Sequence, residues 1–351
     1  MKNKLVKGII DYIKDEWKFI VFCIVLTAIL LYPLDYYITT GGGIIDINDR
    51  VKIEDSYKSK GSLNITYVTQ LKGDVLSYGL SYIMPNWERE KYSEYLADEN
   101  DTIEDAEFRN KLDLKRSNSN AIYWGYKLAN EEVNLVSNKL YVIYVDKKYK
   151  SNFKVQDRII SLDGNKYNEL KDFKDYINSV DVGEEIEVEV IRNKKKIKFK
   201  SKVHDIDGKK LFGIVLEEIR KYDTNKKIEF EFKGNESGSS GGLMTTLDIY
   251  NKLTKKDITN GLTVAGTGTI ETDGTIGEIG GVNYKVIGAA KGKADVFLTP
   301  KDNYRECIKT VKENKLKIKV IKVNNIEDAI KKLENYKGWL RANRNRLRWY
   351  N

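Results

Sequence analysis

The sequence predicts a mixed α/β protein with three parts: one N-terminal apolar helix, a small β-rich domain, and a C-terminal domain in which strands and helices alternate. Three observations carry this prediction. Residues 19–34 contain no charged side chain. Residues 185–190 alternate glutamate with apolar side chains, which is typical of a half-buried strand. From residue 210 onward, strand-like and helical periods alternate, and 351 residues suffice for two globular domains.

The composition excludes several functional classes. The 61 basic and 52 acidic side chains give a net charge of +9, but lysine and glutamate are interspersed, which is typical of a solvated surface. The single histidine, His204, excludes a histidine-rich metal centre. The two cysteines, Cys23 and Cys307, indicate neither a disulfide framework nor a thiolate metal site. We therefore expect no metal, no cofactor and no nucleic-acid partner.

The N-terminal segment predicts a membrane anchor. Phe19 to Leu34 are sixteen residues without a charge, with Trp17 before them and tyrosines after them, as at the two faces of a bilayer. The alternatives are a cleaved signal peptide and a buried core helix. Pro33–Tyr37 lacks the small residues of a cleavage site, and the run has no polar face. Lysines precede the run, so the positive-inside rule predicts a cytoplasmic N-terminus and a body outside the cytoplasm.

The region after the anchor, residues 39–125, is less informative. Residues 53–69 alternate as a strand does, and residues 74–84 are amphipathic with a helical period. Residues 88–116 are rich in charge and poor in large apolar side chains. For these we expect an exposed helix or a mobile segment.

Residues 126–206 show a different pattern. A strand at 140–145 is followed by DRIISLDG at 157–164, a strand that ends in a tight turn. A helix at 170–180 and a hairpin with strands near 186–190 and 194–200 complete the series. This order of elements resembles a bacterial PDZ domain, a fold that binds extended peptides along a sheet edge. No glycine-rich loop for a peptide carboxylate is evident ahead of Leu140, and a purely structural domain is the alternative.

Strands and helices alternate through the last third of the chain. Helices are predicted at Ser240–Leu253, Val282–Lys291, Asn303–Asn314 and Ile326–Tyr336. Strands are predicted at Leu211–Ile219, Lys227–Lys233, Leu262–Ile270, Ala294–Leu298 and Lys317–Val323. The final residues carry four arginines among aromatic rings. They predict a solvated terminal helix, with contact to lipid or nucleic acid as the alternative.

Ser240 is the candidate nucleophile. It lies in Gly238-Ser239-Ser240-Gly241-Gly242, between a strand and an amphipathic helix, where it is predicted as the N-cap or a first-turn residue. The free N–H groups and the positive end of the helix dipole at that position suit a developing oxyanion. The two following glycines would let a peptide backbone approach closely. Taken alone, the segment is also typical of an ordinary serine-capped helix after a flexible loop.

Lys285 is the candidate general base. Val282, Lys285, Val286 and Ala289 share one stripe of a predicted helix, so the lysine faces the core. Desolvation would lower its pKa and leave a neutral amine. The alternative is a lysine that snorkels past its neighbours. His204 fits no triad order, so a Ser–Lys pair is the nucleophile arrangement that the sequence supports.

Three segments resemble the Lon proteolytic domain in order and spacing: GSSGGLM at 238–244, VAGTG at 264–268 and IGGVNYK at 279–285. With an anchor and a PDZ-like module, the chain resembles the YlbL/SepM type of Lon-like protease. That type is a bacterial membrane-bound serine endopeptidase, which acts at the outer face on secreted peptides or envelope proteins. The family's nucleophile motif is PSAG. Here it reads SSGG, so the proline and the alanine are replaced, while the serine and the final glycine remain.

The resemblance implies a role for each site residue. Ser240 is expected as nucleophile, Lys285 as general base, and Thr267 as a threonine that orients the lysine. Gly238, Ser239, Gly241 and Gly242 are expected to contribute to the oxyanion site or to the approach of the substrate backbone.

The resemblance also defines the expected parts and partners. It predicts a Lon-type α/β (α+β) domain, a PDZ-like β-rich module and one transmembrane helix. Peptide or protein substrates are expected, recruited through the PDZ-like module, and oligomerisation is left open. No Walker A motif occurs, so no ATP hydrolysis is expected. The predicted parts are a cytoplasmic N-terminus (1–18), an anchor (19–38), an extracytoplasmic region (39–125), the PDZ-like domain (126–206), the proteolytic domain (207–337) and a basic tail (338–351).

Two alternatives from other functional classes stay open. The first is a catalytically silent, membrane-anchored PDZ scaffold that only binds exposed peptide termini. The second is a nucleic-acid or surface-binding protein driven by the charge of +9, which would require steeply salt-dependent binding.

Overall fold

The computed structural model describes residues 2–336. The predicted basic tail at 338–351 lies outside the described residues. The chain divides into two units, and each is treated separately below. The first unit comprises the chain up to Gly41 together with Val68–Tyr95, and the second comprises Gly42–Tyr67 and the chain from Leu96 onward.

The described residues form eight α-helices and fifteen strands. The helices are α1 (Lys2–Leu30), α2 (Val75–Leu80), α3 (Ile103–Leu128), α4 (Leu170–Ser179), α5 (Gly242–Leu253), α6 (Val282–Lys291), α7 (Tyr304–Glu313) and α8 (Ile326–Asn335). The strands are β1 (Pro33–Asp46), β2 (Val51–Ile53), β3 (Ser62–Asp74), β4 (Trp87–Lys91), β5 (Val133–Val145), β6 (Arg158–Leu162), β7 (Glu185–Arg192), β8 (Lys195–Lys202), β9 (His204–Ile206), β10 (Lys209–Leu211), β11 (Ile214–Thr224), β12 (Ile228–Phe230), β13 (Thr263–Gly266), β14 (Val296–Pro300) and β15 (Lys319–Val323).

The N-terminal helix ends earlier than the sequence predicts. α1 stops at Leu30 and β1 begins at Pro33, so the helix does not extend over the whole predicted anchor range 19–38. Proline lacks an N–H and disfavours helical geometry in the residue before it. The uninterrupted apolar part of α1, Phe19–Leu30, is twelve residues. That is about 18 Å of helix against about 30 Å of hydrocarbon. Within residues 2–336, no helix has both the length and the apolarity to cross a membrane.

The first unit continues with a small antiparallel arrangement. β4 pairs with β1 from Tyr36↔Lys91 to Thr40↔Trp87. α2 begins at a capping box, in which the side chains of Asp74 and Ser77 each accept from the other's backbone N–H. Such reciprocal caps satisfy N–H groups that a helix leaves free at its start. The predicted helix at 74–84 is therefore present in a shorter form.

The second unit contains a five-stranded antiparallel sheet in the order β11-β5-β6-β7-β8. Its core includes Ile186, Val188 and Val190, which confirms the predicted alternation along β7. β11 completes this sheet by pairing with β5 from Ile214↔Val145 to Thr224↔Val133. The sequence placed this strand in the last domain. Local alternation predicts a strand correctly, but it carries no information on which sheet the strand joins.

The last third of the chain is built around parallel strands. β3, β13, β14 and β15 lie side by side, and β14 is buried along its whole length. A parallel sheet covered on both faces requires such apolar strands. One face (Val264, Leu298) packs in a core with α5, α8 and part of α3. The other face (Ala265, Phe297) packs against α6 and α7. The mixed α/β fold is confirmed.

The four predicted helices of this domain are confirmed within two residues at each end. β13 is shorter than the predicted strand 262–270, because the chain leaves the sheet after Gly266.

The charge-dense stretch at 88–116 is more ordered than its composition indicates. It contributes β4 and the first half of α3, which is 26 residues long. Within this stretch α3 buries Ala106 and Leu112, while most of its other side chains there are exposed or half-buried. The helical alternative is therefore present, but it is a partly buried helix and not a fully exposed one.

Candidate active site

In the chain, Ser240 lies directly before α5. In space, it lies beside the carboxyl end of β13, which comes later in the sequence. Gly241 is the N-cap of α5, so Ser240 precedes the cap, one position earlier than predicted. The carbonyl oxygen of Ser240 accepts hydrogen bonds from the N–H of Gly268 at 2.8 Å and from the hydroxyl of Thr267 at 3.1 Å. Ser240 is half-buried, and its own hydroxyl makes no hydrogen bond to another residue in the range 2–336. The backbone of the candidate nucleophile is therefore fixed, and its side chain is left available.

The backbone N–H groups around Ser240 differ in availability. Gly238 donates to Asn110 O at 2.9 Å, and Gly242 donates to Ser239 O at 3.1 Å. These two donors are already used, so they do not fit the oxyanion role expected of them. Within the described chain, the N–H groups of Ser240 and Gly241 have no partner. Unpaired donors at a helix start are what an oxyanion requires.

Gly242 is a glycine because of internal packing. A Cβ atom there would lie 2.6 Å from Ile270 Cγ2 and 2.6 Å from Ser117 Oγ. Real Cβ atoms do not come so close, so this site accepts only glycine without rearrangement. The sequence suggested that Gly242 lets the substrate backbone approach. In the structure, its lack of a side chain instead lets α5 pack closely against α3 and the segment after β13.

Thr267 links the sheet to the nucleophile loop. It is fully buried, and its N–H donates to Leu298 O at 3.1 Å while its hydroxyl donates to Ser240 O. The resemblance predicts that this threonine orients Lys285. Among the described residues it instead holds the backbone of Ser240.

Lys285 lies on α6, which covers the other face of the sheet. Gly281 caps the helix in the left-handed region at φ 67°, a conformation that costs glycine little. Val282, Val286 and Ala289 are fully buried, and Lys285 is only 5% exposed, which confirms the predicted core-facing stripe. α6 packs against Ala265 of β13, two residues before Thr267.

The electrostatic state of Lys285 is set by burial alone. Desolvation lowers its pKa to about 8, and no ion pair or hydrogen bond of its ammonium group occurs within residues 2–336. A second buried lysine gives the contrast. Lys252 donates to Asp248 at 2.7 Å and to Val51 O at 2.7 Å. Buried charges are ordinarily paired in this way. A buried lysine without a counter-ion is a feature of functional sites.

Ser240 and Lys285 are not joined by a hydrogen bond in the described part of the chain. Catalytic contacts commonly tighten only when substrate binds. His204 lies on β9, where its ring contacts Tyr149 with centroids 5.2 Å apart. It pairs with Leu211 in the short β9–β10 hairpin, and no hydrogen bond or ring contact joins it to Ser240 or Lys285 within residues 2–336.

Sequence reasoning missed Asn303. This residue is buried, its side-chain amide donates to Ile279 O at 2.9 Å, and its side-chain oxygen accepts from Ile279 N at 2.9 Å. The two bonds fix the segment that leads into Gly281 and α6. The sequence offers no signal for this role, because an asparagine before a predicted helix reads as a cap.

Comparison with known proteins gives two domain matches. Residues 125–203 match the PDZ domain family, and residues 233–335 match the Lon protease (S16) C-terminal proteolytic domain. The chain thus contains a PDZ domain followed by a proteolytic domain of the S16 class of serine proteases. This order of domains, PDZ before the Lon-type proteolytic domain, confirms the predicted resemblance to PDZ-containing Lon-like proteases.

Three of the solved structures similar to part of this chain are single domains from Listeria. The PDZ domain of an SdrC-like protein from Listeria monocytogenes is 25% identical, over 24% of this chain and 92% of that one, with a TM-score of 0.23. The PDZ domain of an SdrC-like protein from Listeria innocua is 23% identical, over 22% of this chain and 92% of that one, with a TM-score of 0.21. A solution structure of the second domain of a Listeria innocua protein is 24% identical, over 23% and 86%, with a TM-score of 0.22. No curated protein matches the chain.

The burial of Lys285 predicts a pH-dependent cost to stability. Its folded pKa of about 8 lies below the unfolded value of about 10.4, so folding is penalised fully below pH 8, and the penalty fades as the pH rises toward 10. Lys285→Met should therefore raise the free energy of unfolding at pH 7 by about 1–3 kcal/mol. Urea unfolding of both proteins at pH 7 and pH 10 checks this. A difference that stays constant with pH would contradict the depressed pKa.

Proposed function

We propose that the protein is an ATP-independent serine endopeptidase in which Ser240 is the nucleophile and Lys285 the general base. One observation carries the proposal: a buried lysine without a counter-ion lies on the helix that packs beneath β13, and the end of β13 holds the backbone of Ser240. The two helices that carry or follow these residues, α6 and α5, pack on opposite faces of the same parallel strands. Such ends are the usual place of active sites in open α/β sheets.

The proposed chemistry follows from the protonation state of Lys285. Its neutral amine accepts the proton of the Ser240 hydroxyl while Oγ attacks the scissile carbonyl carbon. The carbonyl oxygen takes the negative charge and accepts hydrogen bonds from the N–H groups of Ser240 and Gly241. The resulting ammonium returns the proton to the leaving amine as the C–N bond breaks. Water then hydrolyses the acyl-enzyme, with Lys285 again as base.

The absence of a Walker A motif from the sequence favours short or already unfolded substrates. Nothing in the sequence resembles an ATP-driven unfolding machine. The alternative, a silent PDZ scaffold, would not require an unpaired buried lysine, and we propose the protease for that reason.

The catalytic pair is tested by four variants. Ser240→Ala, Lys285→Ala and Lys285→Arg should each lose at least about a thousandfold in kcat, since arginine stays protonated at working pH. His204→Ala should retain turnover. Activity of the wild type should rise with pH through about 8, as Lys285 loses its proton. Hydrolysis of a fluorogenic peptide by each folded variant is the measurement. Near-normal turnover of Lys285→Arg, or no labelling of Ser240 by a serine-directed phosphonate, would exclude the Ser–Lys assignment.

We further propose that the PDZ domain recruits substrate along the outer edge of β11 around Val215, away from Arg220, to which α3 bonds. The sheet has two outer strands, β11 and β8. β8 carries lysines at alternate positions along its length (Lys196, Lys198, Lys200 and Lys202), and charged edges resist strand addition. At β11, Val215 is 49% exposed. The first residue of α4, Leu170, donates its N–H to Glu218 of β11, so a helix lies beside this strand. A groove between a strand and a helix suits an extended peptide.

A matched pair of substitutions tests recruitment. Val215→Glu places a charge on the β11 edge, whereas Val182→Glu makes the same change at a residue that is 53% exposed in a turn. We expect Val215→Glu to weaken cleavage of a long unfolded polypeptide about tenfold and to leave hydrolysis of a short peptide unchanged. Val182→Glu should affect neither. Equal losses on both substrates, or equal effects of both variants, would speak against recruitment at β11.

We also propose that the protein works at the outer side of a membrane. Support comes from the lysines of the first eighteen residues and from the apolar side chains of α1, where Trp17, Phe22 and Ile24 are more than half exposed. Protease added to intact spheroplasts should digest the chain beyond Thr39. Full protection until the cells are lysed would place the body in the cytoplasm.

A further inference from the structure

α3 contacts both the PDZ sheet and the segments that hold Ser240. The sequence pattern predicted little about this helix. In the structure, several of its polar side chains are buried. Serine and asparagine are weak helix formers, and buried polar groups are costly unless they are hydrogen-bonded. Their presence here therefore requires a reason beyond helix formation.

One face of α3 is bonded to the nucleophile loop. Ser117 Oγ donates to Ser239 O at 3.1 Å, and Asn110 O accepts from Gly238 N at 2.9 Å. Ser239 and Gly238, the two residues before Ser240, are thus both held by α3. The contact is close, since a Cβ atom on Gly242 would come within 2.6 Å of Ser117 Oγ.

The same face is bonded to the segment that follows Thr267 and Gly268. Asn120 Nδ2 donates to Ile270 O at 2.8 Å, and Trp124 Nε1 donates to Glu271 O at 3.2 Å. Residues 117, 120 and 124 follow the i, i+3, i+7 spacing of a single helix face. Ser117 and Asn120 are both buried, and these bonds satisfy them. One rigid helix therefore fixes both backbone segments that meet at Ser240.

The adjoining face of α3 is bonded to the PDZ sheet. Ser119 Oγ donates to Arg220 O of β11 at 2.7 Å, and Arg116 pairs with Glu217 of β11 at 3.4 Å. The two faces lie about 100° apart around the helix. Ser119 is buried to nearly the same degree as Ser117 and makes the same type of bond to a backbone carbonyl. It touches the other sheet, so it offers an internal control.

We propose that Ser117 and Asn120 are positioning residues for the hydrolytic reaction. This inference rests on the proposed function of Ser240. The two side chains act through the backbone: Ser117 fixes the peptide on the N-terminal side of the nucleophile, and Asn120 fixes the segment whose first residues bind Ser240 O. Reacting groups must be held closely, because a misplacement of about 1 Å can cost about a hundredfold in rate.

The test compares Ser117→Ala with Ser119→Ala in the full-length protein. Each variant loses one hydrogen bond from a buried serine to a carbonyl oxygen, so both should melt at similar, slightly reduced temperatures. Ser117→Ala should lower kcat about ten- to a hundredfold with KM within about threefold, and should slow phosphonate labelling of Ser240 by the same factor. Ser119→Ala should keep kcat and the labelling rate within about twofold.

A second variant isolates the donor of Asn120. Asn120→Asp keeps the size of the side chain, but at neutral pH its carboxylate has no N–H for Ile270 O. It should lower kcat and the labelling rate as Ser117→Ala does. In both variants the midpoint of the pH–activity profile should stay at the wild-type value, because neither residue contacts Lys285.

The outcomes distinguish the positioning role of α3 from the proposed catalytic role of Ser240. If Ser117→Ala and Ser119→Ala lose kcat by the same factor, or if neither loses any, α3 has only a structural role and the inference is wrong. A shifted pH midpoint in Asn120→Asp would also overturn it, since the residue would then act on the base. If the wild type is not labelled at Ser240, or Ser240→Ala is still active, the proposed function itself fails, whatever the α3 variants do.

Discussion

The site depends on one local constraint: the carbonyl oxygen of Ser240 is held by Gly268 N and Thr267 Oγ1 at the carboxyl end of β13. These two bonds join a loop that begins a helix on one face of the sheet to the strand at its centre. β13 ends at Gly266, and the next residue bonds both ways: Thr267 N still donates to Leu298 O of β14, while its hydroxyl donates to the loop. The N–H groups of Ser240 and Gly241 have no partner in the described chain, so they are the donors that this loop leaves available.

The two buried lysines differ in whether the fold compensates their charge. Lys252 is satisfied by Asp248 and Val51 O, and the carboxyl of Asp248 is itself so desolvated that its pKa rises to about 6. Lys285 has no such compensation, so burial acts against its charged form without opposition. Because burial disfavours the ammonium form, the side chain of Lys285 loses its proton at a lower pH than an exposed lysine does. The neutral amine that results is the form in which a lysine can accept a proton. Strain of this kind is usual where a site is kept reactive.

Prediction from the sequence succeeded where the signal was local and periodic. The alternation of Ile186, Val188 and Val190, and the helical stripe of Val282, Val286 and Ala289, are statements about near neighbours, and they hold. Prediction failed at boundaries and at partners. The helix of residues 19–38 was extended past Pro33, β11 was given to the wrong sheet, and the charged stretch before residue 117 concealed half of α3. For β11 and α3 the missing information was what the segment packs against, whereas the helix end before Pro33 was a local signal that the prediction passed over.

The sequence by itself determined the class of fold, the PDZ-like and Lon-like segments, and the choice of Ser240 and Lys285 as candidates. These follow from residue type, from local spacing and from the resemblance of three segments to a known family. Only the tertiary structure decided which N–H groups around Ser240 are free, what Thr267 and Asn303 bind, and that Ser117 and Asn120 face the nucleophile loop. The physical reason is that a hydrogen bond needs two partners within about 3 Å. Residues as far apart as 117 and 239 are brought to that distance by packing, which no local pattern encodes.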